Sequence, residues 1–165
     1  MILLVSDTSI LIDLERGGLL EAAFACGWTL VVPDLLYERE LLPENGPYLR
    51  SIGLGVIEST PDELQVAQQI KRDRAGLSLP DCFALTCALR VNHQLLSGDK
   101  ILRQEAKKRN CTVYGVLWLL DQMHDAQVPP TLLFDGLTKI QAHQRCRLPK
   151  DEIALRLKRW QAPPA

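Results

Sequence analysis

Short aliphatic runs alternate with stretches of helical periodicity along most of the chain. Residues 2–5 form a continuous aliphatic run of strand length, which is typical of a parallel strand buried on both faces. Further strands are predicted at 28–32, 94–97 and 111–114, with a weak edge strand at 55–58. The predicted sheet therefore has four to five strands.

Between these strands, apolar residues recur at helical spacing, often after a capping residue or a proline. The predicted helices are 8–14, 19–25, 35–42, 60–74, 78–91, 101–109, 116–123, 131–143 and about 149–160, and residues 43–47 are predicted to be a loop. Strands that alternate with helices in this way indicate an α/β fold with a mainly parallel sheet and right-handed crossovers. Ligands of such sheets bind beyond the carboxyl ends of the strands.

Length and composition predict one domain without an obvious polyanion partner. The chain has 165 residues and a net charge of −1, so no overall positive charge indicates nucleic-acid binding. Five cysteines without zinc-like spacing are expected to be reduced thiols. Neither a basic leader nor an apolar stretch of membrane-spanning length is present, so a cytoplasmic protein is expected.

Acidic residues follow the predicted strands or open a buried helix. They are Asp7, Asp81, Asp99 and either Glu38 or Glu40. Carboxylates that converge in a cleft repel each other, so they need a raised pKa or a cation. Oxygen ligands without His or Cys favour Mg²⁺ or Mn²⁺, and phosphodiester hydrolysis is a reaction that uses such clusters.

Three segments resemble the motifs of PIN-domain ribonucleases. They are VSDTSILI at 5–12, LPDCFAL at 79–85 and LSGDKIL at 96–102. The resemblance covers roughly residues 1–120 and implies a three-layer α/β/α sandwich. We expect a PIN-like nuclease core at 1–124, and residues 125–165, which lie beyond the resemblance, are expected to form a C-terminal helical extension of the same domain. The resemblance also implies metal-dependent endoribonuclease activity, commonly as the VapC-like toxin of a toxin–antitoxin pair.

The resemblance assigns Asp7, Asp81 and Asp99 as catalytic and metal-binding acids. In related proteins a glutamate often lies six residues after a strand-ending proline, but counting from Pro33 reaches Arg39. Glu38, three residues after Leu35, is the preferred fourth acid, and Glu40 is the alternative.

A second set of residues is expected on the substrate side. The resemblance makes Thr8, Ser9 and Ser97 the hydroxyls beside the acids, which orient a carboxylate or a bound water. Lys100 and Arg103 lie in the first turn of the helix beyond Asp99 and are expected to reach a phosphate. The implied partners are RNA, a small antitoxin protein and a second copy of the chain in a homodimer, with no membrane.

Other polar residues have simpler interpretations. Asp13 is expected on a solvated surface, and the basic runs on helices are expected to be solvated faces. The run 116–120 is expected in the core or at a dimer surface. Two alternative functions remain open: a PIN-like module that binds RNA or protein without cutting it, and a PIN nuclease without a toxin role.

Overall fold

The computed structural model describes residues 1–163 and contains a five-stranded, wholly parallel sheet. The strand order is β3-β2-β1-β4-β5, which confirms the predicted parallel α/β architecture. The strands are β1 (Leu3–Ser6), β2 (Thr29–Pro33), β3 (Gly55–Ile57), β4 (His93–Leu96) and β5 (Val113–Tyr114). The predicted C-terminal extension reaches residues 164 and 165, which lie outside the described part.

Helices cover both faces of the sheet, as expected for a three-layer fold. They are α1 (Thr8–Arg16), α2 (Leu20–Phe24), α3 (Asp34–Leu36), α4 (Gly46–Ser51), α5 (Pro61–Asp73), α6 (Leu79–Ala88), α7 (Lys100–Lys108), α8 (Val116–Asp125), α9 (Pro130–Ala142) and α10 (Lys150–Trp160). A π-helical turn, Tyr37–Leu41, continues directly from α3. No helix within residues 1–163 combines the length and apolar character needed to cross a membrane.

Strand β1 occupies the centre of the sheet because its aliphatic side chains are buried on both faces. Val5 is fully buried and pairs with Val31 of β2 on one side and with Leu95 of β4 on the other. The chain leaves β1 towards β2, whereas the later strands β4 and β5 add on the opposite side. The strand order therefore reverses between β1 and β4, where parallel sheets open a crevice for ligands.

Helix α6 is the most buried helix, as its small and apolar sequence predicts. The seven residues from Cys82 to Ala88 are all buried, and the helix packs against β1, β2 and β4. Because so few of its side chains reach solvent, its amino-terminal end is fixed rigidly relative to the sheet. Any side chain in its first turn is therefore held in a defined place.

The C-terminal helices pack closely against the first helical layer. Gly136 of α9 lies so near the chain after α1 that an added Cβ would stand 2.5 Å from the Leu19 side chain and 3.0 Å from the carbonyl oxygen of Gly17. Trp160, at the end of α10, is 1% exposed. These contacts hold the 143–149 connection beside the carboxyl edge of the sheet.

One predicted loop contains a helix instead. Residues 43–47 have loop composition, but α4 begins at Gly46 with Pro47 in its first turn. Proline suits this place because its missing N–H would have no partner there. An added Cβ on Gly46 would lie 2.7 Å from the Leu41 carbonyl oxygen, so a glycine permits this close approach.

Candidate functional site

Asp7 lies at the carboxyl end of the central strand and is 1% exposed. Its Oδ1 accepts hydrogen bonds from the Ser9 hydroxyl (2.7 Å) and the Ile10 amide (3.2 Å), which makes Asp7 the N-cap of α1. Its Oδ2 accepts a hydrogen bond from the Ser97 hydroxyl (2.5 Å). Burial raises the pKa of Asp7 to about 7, against the lowering effect of these hydrogen bonds, and the nearby charge of Asp81 raises it slightly more.

The turn after β4 is joined to the same carboxylate. Ser97 is fully buried, and its hydroxyl also accepts a hydrogen bond from the Asp99 amide (3.0 Å). The Ser9 hydroxyl accepts one from the Gly98 amide (3.0 Å). These bonds fasten the ends of β1 and β4 together across the point where the strand order reverses.

Asp99 begins α7 as its N-cap, since its Oδ1 accepts a hydrogen bond from the Leu102 amide (2.8 Å). Such a cap leaves the second carboxylate oxygen free for another partner. Asp99 is half-buried beside the Ser97 turn. Capping and metal binding are therefore compatible roles for this residue.

Asp81 lies in the first turn of the buried helix α6 and forms a capping box with Ser78. The Ser78 hydroxyl accepts a hydrogen bond from the Asp81 amide (3.2 Å), and Asp81 Oδ2 accepts one from the Ser78 amide (3.4 Å). Burial raises the pKa of Asp81, the Ser78 hydrogen bonds lower it, and the charges of Asp99 and Glu40 raise it. Asp81 is thus within electrostatic range of both of these acids.

The geometry favours Glu40 over Glu38 as the fourth acid, which reverses the preference drawn from the sequence. The Thr8 hydroxyl donates a hydrogen bond to Glu40 Oε1 (2.8 Å), so Glu40 lies beside the residue that follows Asp7. The Glu38 side chain is exposed. Arg39, which the count from Pro33 reaches, places its guanidinium carbon 5.6 Å from the centre of the Phe83 ring.

The π-helical turn explains why the count from Pro33 fails. In this turn the Leu42 amide bonds to the Tyr37 carbonyl (2.7 Å), five residues back, where an α-helix would bond four residues back. The wider turn contains one additional residue. Because of this additional residue, Glu40, seven residues after Pro33, takes the place that the sixth residue would have in an α-helix.

Together, Asp7, Glu40, Asp81 and Asp99 form what we call the acidic edge. Each of these side chains is at least half-buried, and each is held by a hydrogen bond to a hydroxyl or backbone amide. Electrostatic effects link Asp7 to Asp81, and Asp81 to both Asp99 and Glu40. Asp81 is thus within electrostatic range of Asp7, Asp99 and Glu40, while the alternative glutamate, Glu38, is exposed.

The donor set of the acidic edge suits a hard divalent cation. Within residues 1–163, no three His, Cys, Asp or Glu side chains are grouped closely enough to hold a metal ion together. Magnesium, however, commonly uses only one or two protein carboxylates and retains several waters. Burial raises the pKa of the nearby Cys82 thiol to about 11, which keeps this sulfur protonated. The available ligands are thus oxygens, which fit Mg²⁺ or Mn²⁺.

The residues expected to bind substrate fall into two groups. The hydroxyls of Thr8, Ser9 and Ser97 are bonded to carboxylates of the acidic edge, so they position acids. Lys100 is exposed, whereas Arg103 donates a hydrogen bond from Nη1 to the Ser97 carbonyl oxygen (2.9 Å). Lys100 therefore has the freer cationic group of the two.

Asp13 is more buried than the solvated surface position that the sequence interpretation expected. Its side chain is 18% exposed, and Arg16 lies 3.8 Å away. Burial raises its pKa, partly offset by Arg16 and His143. It lines a depression together with Asp99 and Arg147, because the 143–149 connection folds over this face of α1. Nothing local in the sequence indicates that covering segment.

Ser78 is a positioning residue that the sequence interpretation did not single out. Its hydroxyl and amide fix the first turn of α6 and thereby the orientation of Asp81. The signal was available, since Ser-x-x-Asp before an apolar run is a capping-box pattern.

Comparison with known protein families agrees with this architecture. A family model described as a PIN domain matches residues 3–162, which include the C-terminal helices α8 to α10. No curated protein matches the chain. The match covers nearly the whole chain and accords with the parallel sheet and flanking helices, so the fold is of a nuclease type. The chain therefore belongs to the PIN-domain family.

Proposed function

We propose that this protein is a divalent-metal-dependent endoribonuclease that hydrolyses RNA phosphodiester bonds. The observation that supports this most strongly is the burial of Asp7 among hydroxyl donors, with three further acids at the same edge of the sheet. Burying carboxylates together costs free energy unless a cation compensates them. PIN-domain nucleases typically use divalent metal ions, so a catalytic metal is the natural compensation.

The side chains of the acidic edge have separable tasks in this reaction. Mg²⁺ or Mn²⁺ would take its one or two direct protein ligands from the carboxylates of Asp7, Asp81, Asp99 and Glu40, and the other acids would act through bound water. When bound, the cation supplies Lewis-acid stabilisation of the charge that develops on the phosphate. Ser97 and Ser9 hold both oxygens of Asp7 in one orientation, and Thr8 does the same for Glu40. Such preorganisation avoids reorientation during the reaction.

A cation at this edge would also change the protonation of Asp7. With a pKa of about 7 in the metal-free protein, this carboxyl is partly protonated near neutral pH. Divalent ions bind the ionised form of a carboxyl, so binding releases that proton. Metal affinity is accordingly expected to increase as pH rises through 7.

The physiological role we propose is that of a toxin in a toxin–antitoxin pair. Family membership and the three motif segments support this role. A small antitoxin protein and a second copy of the chain are the partners that accompany it. Induced expression should then arrest bacterial growth, and an Asp7→Asn variant should not.

The test of the ribonuclease is cleavage of single-stranded RNA by purified protein with Mg²⁺, Mn²⁺ or excess EDTA. Cleavage should require a divalent ion and be abolished by Asp7→Asn or Asp99→Asn, with both variants keeping the circular dichroism spectrum of the parent. Full activity in EDTA, or in both variants, would contradict the proposal.

The alternative is a PIN-like module that binds RNA or protein without cutting it. It is favoured by one observation: within the described part of the chain, the carboxylates are bonded to hydroxyls and amides rather than grouped around one point. This alternative predicts RNA or protein binding with no cleavage at any divalent-ion concentration.

A further inference from the structure

A groove of about 630 Å³ lies beside the acidic edge. Its walls come from α7, from the β5–α8 corner and from the chain that leads into α10. We call it the basic groove because its lining includes Lys100, Lys107 and Arg147. The chain that leads into α10 is distant in sequence from the other two walls, so the groove exists only in the folded chain.

The cations of the basic groove are available to a ligand. Lys100, Lys107 and Arg147 are exposed, and none of the three forms an ion pair within residues 1–163. The acid that lines the groove, Glu152, is paired with Arg156 at 3.0 Å. The groove therefore presents unbalanced positive charge on a chain whose net charge is −1.

A stacked aromatic pair lies between these cations. The Tyr114 and Trp118 rings have centroids 3.9 Å apart and are inclined by only 6°. Both residues line the groove and are half-buried, so part of the pair reaches solvent. Flat aromatic surfaces flanked by cations are the features with which proteins bind unpaired nucleotides, because bases stack on the rings while phosphates lie near the cations.

The basic groove lies next to the Asp99 end of the acidic edge. A smaller depression of about 260 Å³, lined by Asp99 and Ser9, shares Gly98, Arg147 and Leu148 with it. Lys100 lines the groove directly after Asp99. An RNA strand in the groove would therefore lie next to the depression that Asp99 lines.

We propose that the basic groove binds unpaired RNA on one side of the scissile phosphate. One base stacks against the Tyr114–Trp118 pair, and backbone phosphates lie beside Lys107 and Arg147. This inference rests on the proposed ribonuclease function and adds a preference for single strands. A duplex keeps its bases stacked inside, so it cannot use the aromatic pair.

The test is the affinity for a fluorescent single-stranded RNA of about 12 nucleotides, within the range of sites for single-strand binders. Fluorescence anisotropy is measured in EDTA, so that binding is observed without cleavage. Trp118→Ala should raise Kd about tenfold, as expected for loss of one stacked base, whereas Trp118→Phe should retain most of the affinity. A matched RNA duplex should bind more weakly than the single strand.

The charge contribution has a matched control on the same helix. Lys107→Gln should lower the slope of log affinity against log salt by about 0.7, the value for one phosphate contact with a single strand. Lys108 is exposed on α7 but does not line the groove, so Lys108→Gln should leave the slope unchanged.

A third measurement uses tryptophan fluorescence and a variant that keeps an aromatic ring at position 118. RNA should quench part of the tryptophan emission of the parent protein, and Trp118→Phe should lose that quenching while Trp28 and Trp160 remain. Parental affinity and salt slope in Trp118→Ala and Lys107→Gln would overturn the proposal. So would binding of an acidic peptide such as polyglutamate in place of RNA.

The outcomes separate this proposal from the ribonuclease. Groove-dependent RNA binding without cleavage in Mg²⁺ or Mn²⁺ supports the groove and overturns the nuclease. Metal-dependent cleavage with an unchanged KM in Trp118→Ala and Lys107→Gln supports the nuclease and overturns the groove. If the protein neither binds nor cleaves RNA, both proposals are overturned.

Discussion

At the scale of single residues, the site combines stability and chemistry in the same side chains. Asp7 caps α1, Asp99 caps α7 and Asp81 completes a capping box, yet all three belong to the acidic edge. A capping interpretation and a functional one are therefore not exclusive. The caps fix where each carboxylate points, which a preorganised site requires.

Burial of Asp7 predicts a characteristic pH dependence of stability without metal. The folded protein holds this proton up to a pKa of about 7, whereas the unfolded chain releases it near the ordinary value of 3.8. The free energy of unfolding should therefore fall as pH rises from about 4 to 7, by an amount on the order of 2–4 kcal/mol. Asp7→Asn keeps the cap and should remove most of this loss.

The measurement is urea unfolding in EDTA at a series of pH values, for the parent and Asp7→Asn. Addition of Mn²⁺ at pH 8 should stabilise the parent and leave the variant nearly unchanged. Parallel pH profiles for the two proteins would show that Asp7 is not the titrating group.

The two glutamates of the π-helical turn provide a matched pair. Glu40→Gln should lower the cleavage rate and weaken activation by Mn²⁺, because Glu40 is the one bonded to Thr8 beside Asp7. Glu38→Gln removes the same charge from an exposed position and should leave cleavage at the parental rate. The comparison is made from initial rates over a Mn²⁺ titration, and the opposite order would restore Glu38 as the fourth acid.

At the scale of elements, helix starts and one irregular turn position the acids. The π-helical turn brings Glu40 to Thr8, and the buried helix α6 fixes Asp81 through Ser78. Helix α5 begins with an equivalent capping box, formed by Thr60 and Glu63. The acid of the α5 box, Glu63, is paired with Arg90 at 2.6 Å, whereas the acid of the α6 box, Asp81, belongs to the acidic edge.

Equivalent substitutions in the two capping boxes should therefore cost similar stability but differ in their effect on activity. Ser78→Ala and Thr60→Ala should each lower the free energy of unfolding by about 1 kcal/mol, the usual cost of losing an N-cap side chain. Only Ser78→Ala should also weaken metal-dependent cleavage, by about 10–100-fold, because it releases Asp81. Stability is measured by urea unfolding and activity by a Mn²⁺ titration. Equal activity in the two variants would show that Ser78 does not position Asp81.

At the scale of the whole molecule, the C-terminal helices complete the site region. The 143–149 connection shares a depression with Asp13 and contributes Arg147 to the basic groove. This arrangement depends on the close approach of α9 to the chain after α1. Arg156 also links α10 to α8 by hydrogen bonds of 2.9 and 2.7 Å to Asp121.

Gly136→Ala tests that close approach. The added methyl would lie 2.5 Å from Leu19, so the helices must separate or repack. Overpacking of this kind should cost about 1–3 kcal/mol in the free energy of unfolding. Thr138→Ala, at an exposed position of α9, should change it by less than about 0.5 kcal/mol. Urea denaturation compares the two, and equal stabilities would contradict tight docking of α9.

The sequence determined most of the fold and the types of residue at the site. The aliphatic run before Asp7 specifies a strand buried on both faces, and a parallel sheet collects strand ends at one edge. Local patterns of this kind depend on periodicity and capping, which a single stretch of chain contains. The placement of Asp7 and Asp99 at one edge follows from them, whereas Asp81 was assigned to the site by the resemblance of its motif.

Only the tertiary structure placed Glu40 beside Thr8, brought the 143–149 connection next to Asp13, and formed a basic groove next to Asp99. The π-helical turn shifts the side-chain register by one residue, and no sequence pattern in residues 33–42 predicts this turn. The groove combines α7, the β5–α8 corner and the chain before α10, and their proximity depends on how α9 packs. Register and long-range packing arise from contacts between distant segments, so no local pattern contains them.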